Sequence, residues 1–300
     1  MGVQPSQQDW EQVVGSDLMP HLIPAGQPRD ARRPADVSWL PPDAHQALGE
    51  VIGRHGLEDL LIVPPAVWWR GQPWRRCLYA PLCVLGVGER AAALWVQALP
   101  QPCVRVVVPF SEVAMITQEA AGPQRRLIIT GRGSRLLVRY DLEGGMAADA
   151  LARRIRRRAA GDPFPGQVPG ISRGLGRAAR RLPDPAALRL DDDQIAVIGS
   201  GSLLARRKIL LAVTSRELII VSGRRAERLR RGRVVRTLYI PRQRIENVGH
   251  RSGTLRLRSA GQDVSVGLRS RRLAAAASSC LAQALSGRGR TCADSGPAPG

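Results

Sequence analysis

The residues of this chain best suited to chemistry are arginines, and they come in clusters. Arg206, Arg207 and Lys208 stand together, and Arg224, Arg225, Arg228, Arg230, Arg231 and Arg233 follow within one short stretch. A guanidinium is a planar fork of donors that matches two phosphate oxygens at once, and several on one loop focus a positive potential. The chemistry this predicts is capture of an anion. The plain alternative is a solvated basic loop. Lys208 is the only lysine, and the wealth of Arg, Ala, Gly and Pro matches GC-rich bacterial coding. That bias accounts for arginine in place of lysine but not for a net charge of +20.

Two further groups could act. Arg153, Arg154, Arg156, Arg157 and Arg158 close a helical stretch, where positive charge complements the helix dipole or joins a basic surface. Arg173, Arg177, Arg180 and Arg181 could extend that surface. Trp68, Trp69 and Trp74 lie among Arg70, Arg75 and Arg76, a composition that suits either an interface or a cover over a core.

Enzymatic readings find less support. Gly86, Gly88 and Ala91 fit a GxGxxA pattern after an apolar run, and a helix over Glu89–Leu99 would complete a dinucleotide-binding unit. The stretch that follows reads as strands, without a second βαβ unit. Asp191, Asp192 and Asp193 read as an exposed turn before they read as a cation site. Gly199-Ser200-Gly201-Ser202 lacks the lysine of a P-loop and reads as a hairpin turn. Cys77, Cys83, Cys103, Cys280 and Cys292 are odd in number and have no CxxC spacing, so reduced thiols are expected. His21, His45, His55 and His250 share no ligand spacing. No catalytic residue, metal or cofactor is expected.

These side chains need a frame. Pro and Gly mark its joints: a disordered leader over 1–42, a linker over 160–189 and a loose tail over 287–300. Between them lie an N-terminal domain, 43–159, opening with a short helix near Asp43–His55, and a C-terminal domain, 190–286. The first predicts strands near Leu60–Val63, Cys77–Val87, Ala92–Leu99, Val104–Phe110, Glu112–Thr117, Arg126–Thr130 and Arg135–Tyr140, then a helix over Met146–Arg158. The second predicts strands near Gln194–Ile198, Ile209–Thr214, Glu217–Val221, Val234–Ile240, Ile245–Val248, Thr254–Arg258 and Asp263–Leu268, then a helix over Ser270–Leu285. Many short strands closed by one helix make an α+β domain built on a small barrel or sandwich. Charge is uneven: residues 1–75 hold 6 Arg and 9 acids, whereas 191–300 hold 21 basic and 8 acidic residues.

The two blocks repeat each other at an offset of about 130 residues. Val108-Pro109-Phe110-Ser111-Glu112-Val113 matches Ile240-Pro241-Arg242-Gln243-Arg244-Ile245, and Glu89-Arg90 matches Ser215-Arg216 upstream. Proline lacks the N–H that a central ladder needs, so each strand ends there.

At these residues the chain resembles bacterial pleckstrin-homology-like (PH-like) and GRAM-like domains. Ile209–Val221, with Thr214 and Arg216 between two apolar runs, is similar to that group's hairpin. Leu238-Tyr239-Ile240-Pro241 to Ile245 is similar to its Ile-Pro strand junction. The resemblance spans roughly 59–158 and 190–285. It implies two tandem barrels of about seven antiparallel strands, each capped by a C-terminal helix. It also places Arg206, Arg207 and Lys208 in the first hairpin loop, where lipid-binding members hold anionic head groups. The resulting expectation is a non-enzymatic binding or scaffold protein that docks on an anionic lipid surface or an acidic, phosphate-rich protein. Nucleic acid is the alternative partner, although only Tyr239 lies near the charge to stack on a base. The expected place is cytoplasmic, with contact to the inner membrane surface.

Overall fold

The computed structural model describes residues 40, 42–52, 58–64, 66–70, 76–97, 104–121, 124–141, 145–161, 190, 196–203, 207–225, 233–268 and 271–285. Most of the expected leader, linker and tail, and Asp191–Asp193, lie outside them. The chain forms two compact units. One holds Met1–Ala159 with Gly223–Tyr239, and the other holds Ala160–Ser222 with Ile240–Gly300.

The first unit begins with helix α1 (Pro42–Ile52), whose proline sits where a helix start leaves an N–H unused. Strands β1 (Asp59–Val63), β4 (Leu82–Val87), β5 (Ala91–Gln97) and β6 (Val104–Pro109) make an antiparallel sheet in that order. Leu40, Ala44 and Leu48 pack with Leu60, Ile62, Leu82, Val84, Ala93 and Trp95 to form its core. Strands β2 (Ala66–Arg70) and β3 (Arg76–Ala80) form a separate hairpin. Pro81 divides the expected Cys77–Val87 strand, because it brings no N–H to a ladder. Strands β7 (Met115–Ala121), β8 (Gln124–Thr130) and β9 (Arg135–Asp141) form a meander, and helix α2 (Gly145–Ala160) follows.

The second unit pairs β10 (Ala196–Leu203) with β11 (Arg207–Val213), and β11 with β12 (Glu217–Arg225). A meander of β14 (Ile245–Arg251), β15 (Thr254–Ser259) and β16 (Gln262–Gly267) precedes helix α3 (Arg271–Leu285). Gly199 to Ser202, expected as a turn, run inside β10, where the register slips between Val197 and Gly199.

The repeat is visible in single hydrogen bonds. The N–H of Gly88 donates to Ala91 O at 3.1 Å, and that of Thr214 donates to Glu217 O at 2.8 Å. The N–H of Phe110 then donates to Arg90 O at 2.8 Å, and that of Arg242 to Arg216 O at 2.9 Å. Pro109 (φ −58°, ψ 140°) and Pro241 (φ −58°, ψ 126°) each lead into a single 3-10 turn. In the second copy the Thr214 hydroxyl oxygen accepts the N–H of Glu217 at 3.0 Å and of Arg216 at 3.2 Å. This gives the Thr-x-Arg spacing its physical reason: the side chain builds the turn.

The architecture is α+β and mostly antiparallel sheet, but the expected barrels do not close: the sheets are open. The reason lies at β7. Its one side pairs with β8, and its other side pairs with β13 (Arg233–Pro241), from Val234↔Ala121 to Tyr239↔Ile116. A strand of the second block thus occupies the edge that closure within the first would use.

Candidate anion-binding surfaces

The structure redistributes the expected arginine loops. Arg207 and Lys208 are the first residues of β11, set opposite Leu203 and Ser202. Arg224 and Arg225 end β12, and Arg233 begins β13. These five are strand positions, because both hairpins run longer than the apolar pattern marked. Arg206, Arg228, Arg230 and Arg231 lie outside the described residues.

The helix α2 arginines divide by role. Arg156 is buried, with its guanidinium 3.5 Å from the centroid of the Tyr239 ring, a cation–π stack. Arg154 meets Asp59 at 3.3 Å and donates to Glu58 O at 3.0 Å. Arg158 donates to both carboxylate oxygens of Glu58, at 2.9 and 3.0 Å. Arg153 and Arg157 are exposed. Three of these five residues therefore fasten the helix to its own unit.

Beside them the Gln118 amide donates to Asp149 Oδ1 at 2.8 Å. Partial desolvation raises the Asp149 carboxyl above its ordinary value, and the Gln118 bond and nearby arginines oppose that rise. Burial, then the neighbouring Asp149, pushes the Tyr140 phenol well above its usual range.

The other face of the same sheet carries a row that the sequence reading missed. Arg236, Glu119, Arg126 and Arg139 stand directly opposite one another across β13, β7, β8 and β9. Glu119 meets Arg236 at 3.3 Å and Arg126 at 3.7 Å. Arg139 and Arg236 are exposed, and Arg126 is half-buried. Arg126 and Arg139 face each other as like charges, which destabilises a bare sheet. Each arginine sits two residues from an apolar neighbour on its strand, a signal of one face that only the strand register turns into a row.

The β14–β15–β16 meander has a second basic face. Leu255, Leu257, Val264 and Val266 point inward, whereas Arg256, Arg258, Asp263 and Ser265 alternate with them and are exposed. Arg258 is paired with Glu246 at 3.4 Å.

Arg242 behaves differently. It is 1% exposed and donates to Thr214 O at 2.9 Å and to Ala284 O at the end of α3. Burial pulls its pKa below the usual arginine value. It is a structural cation, not part of a surface.

The dinucleotide alternative meets a different geometry. Gly86 lies in β4 opposite Ala93, and Ala91–Gln97 form an antiparallel strand where that reading needs a helix. Among the described residues no cluster of His, Cys, Asp or Glu suits a metal, and no helix is long and apolar enough to cross a membrane. Comparison with known proteins finds no matching family model, no matching curated protein and no matching solved structure.

Proposed function

We propose that the chain is a non-enzymatic binding or scaffold protein, made of two repeats related to PH-like domains, that docks on an anionic, phosphate-rich lipid surface. The observation that supports this most directly is the Arg236–Glu119–Arg126–Arg139 row, two exposed arginines and one half-buried arginine with one acid on a single sheet face. Guanidiniums held at strand spacing present forks to phosphate oxygens without ordering a loop first. The clusters at Arg206–Lys208 and Arg224–Arg233 would add long-range attraction.

Co-sedimentation of the full chain with anionic vesicles at low salt tests the reading. Binding is expected to weaken as salt rises. Replacing Glu119 by Gln removes the one negative charge from the row and is expected to tighten binding several-fold, about tenfold at most. R126A/R139A is expected to weaken it by a similar factor. Absence of binding to anionic vesicles by the unaltered chain overturns the reading.

A further inference from the structure

The outer face of the β14–β15–β16 meander has one gap. Gly249 stands directly opposite Arg256, and Arg251 stands two residues along the same strand. On this face Arg256 is also opposite Ser265, Arg251 is opposite Thr254, and Asn247 is the next residue back. A Cβ placed on Gly249 would meet no heavy atom within 4 Å, so the space above its backbone is open. Side chains directly opposite are about 5 Å apart and diagonal ones about 7–8 Å apart, within reach of two arginines converging on one group.

The charge around this gap is net positive. Glu246 is paired with Arg258, and Asp263 stands opposite Arg258, one diagonal step from Arg256. Arg251 and Arg256 are exposed, and among the described residues no carboxylate pairs with either. The gap thus has an open floor, with Arg256 directly opposite, Arg251 two residues along the strand, and Ser265 and Asn247 on the same face.

We infer that this notch over Gly249 binds the terminal phosphate monoester of a lipid headgroup, with Arg251 and Arg256 as its two charged walls. The inference rests on the anionic-docking reading above and gives it a site. A monoester presents three terminal oxygens, enough for two forks, whereas a phosphodiester presents two. The face bears no aromatic side chain on which a base would stack, and a single notch suits one phosphoryl group rather than a nucleic-acid backbone.

The test uses the full chain and two vesicle preparations in phosphatidylcholine at equal surface charge, one with phosphatidic acid and one with phosphatidylglycerol. Wild type is expected to prefer phosphatidic acid by about tenfold. G249V fills the notch without changing charge and suits a strand, so it is expected to abolish the preference while keeping phosphatidylglycerol binding. R251A/R256A changes exposed residues only. It is expected to weaken both and bring their ratio to about one, which preserves the test if G249V does not fold.

A preference that survives in both variants, or equal wild-type binding to the two vesicles, overturns the notch and leaves the docking reading standing. Failure of wild type to bind either vesicle overturns both. Tighter binding to DNA than to vesicles, lost in G249V, assigns the notch to nucleic acid and overturns the lipid assignment.

Discussion

Arg242 stands in the second repeat where Phe110 stands in the first, each following the proline of its strand junction and each buried. Phe110 fills its place with apolar surface. Arg242 fills its place with a guanidinium that ties the last turn of α3 to the hairpin turn at Thr214 and Ser215. The end of a helix leaves carbonyls without intrahelical partners, and this side chain satisfies one of them. R242A is therefore expected to leave buried carbonyls unsatisfied and to lower stability by about 3 kcal/mol. Equilibrium urea unfolding measures this. A loss near zero would mean that the guanidinium does not hold the helix end.

Gly131 is fixed by a close approach. A Cβ there would stand 2.8 Å from Val108 Cγ1 and 3.0 Å from Ser134 Oγ. Valine is stiff at χ1 and this one is fully buried, so it yields poorly. G131A is expected to cost about 1–2 kcal/mol by overpacking. The same change in a V108A background is expected to cost less, and a double-mutant cycle by denaturant titration reads the difference.

The meander of the second unit turns twice on two residues with positive φ. Ser252 and Gly253 have φ 49° and 81°, and Ala260 and Gly261 have φ 44° and 78°. This is the geometry of type I′ hairpins, which favour Asn-Gly. Ala260 bears a Cβ in the left-handed region without a polar side chain to compensate. A260N is expected to stabilise by about 0.5–1 kcal/mol and raise the melting temperature. An unchanged or lower melting temperature refutes the assignment.

Asp149 gives a pH signature. Its carboxyl is raised in the folded state above the ordinary 3.8. The folded state therefore favours the protonated form, and its relative stability falls as pH rises through the folded pKa. D149N removes that penalty. Its melting temperature is expected to exceed that of wild type near neutral pH and to converge with it below pH 3.8. Thermal melts across pH reveal the sign, and a neutral-pH decrease would show that the bond from Gln118 outweighs desolvation.

Local elements were legible because local physics sets them. The Pro-ended strands at Pro109 and Pro241, the turn at Thr214 and the terminal helices all carry signals within a few residues. Pro81 was visible too, but the apolar run around it masked its effect. Pairing between distant strands leaves no such trace: nothing near Val234 or Ala121 announces that they meet. The Arg236–Glu119–Arg126–Arg139 row depends on that pairing and was hidden with it. The burial of Arg242 and Arg156 was hidden for another reason. Residue type marks both as surface candidates, and only the Phe110 equivalence at Arg242 hinted otherwise.

The pairing of β13 with β7 also orders events in time. Ala121 leaves the ribosome about a hundred residues before Val234, its partner in the ladder. At roughly 5–20 residues per second, β7 spends about 5–20 s with one row of N–H and C=O groups unclaimed. Through that interval the nascent first repeat has an adhesive flank. Glu119, at the middle of β7, waits there with Arg126 alone for company until Arg236 arrives.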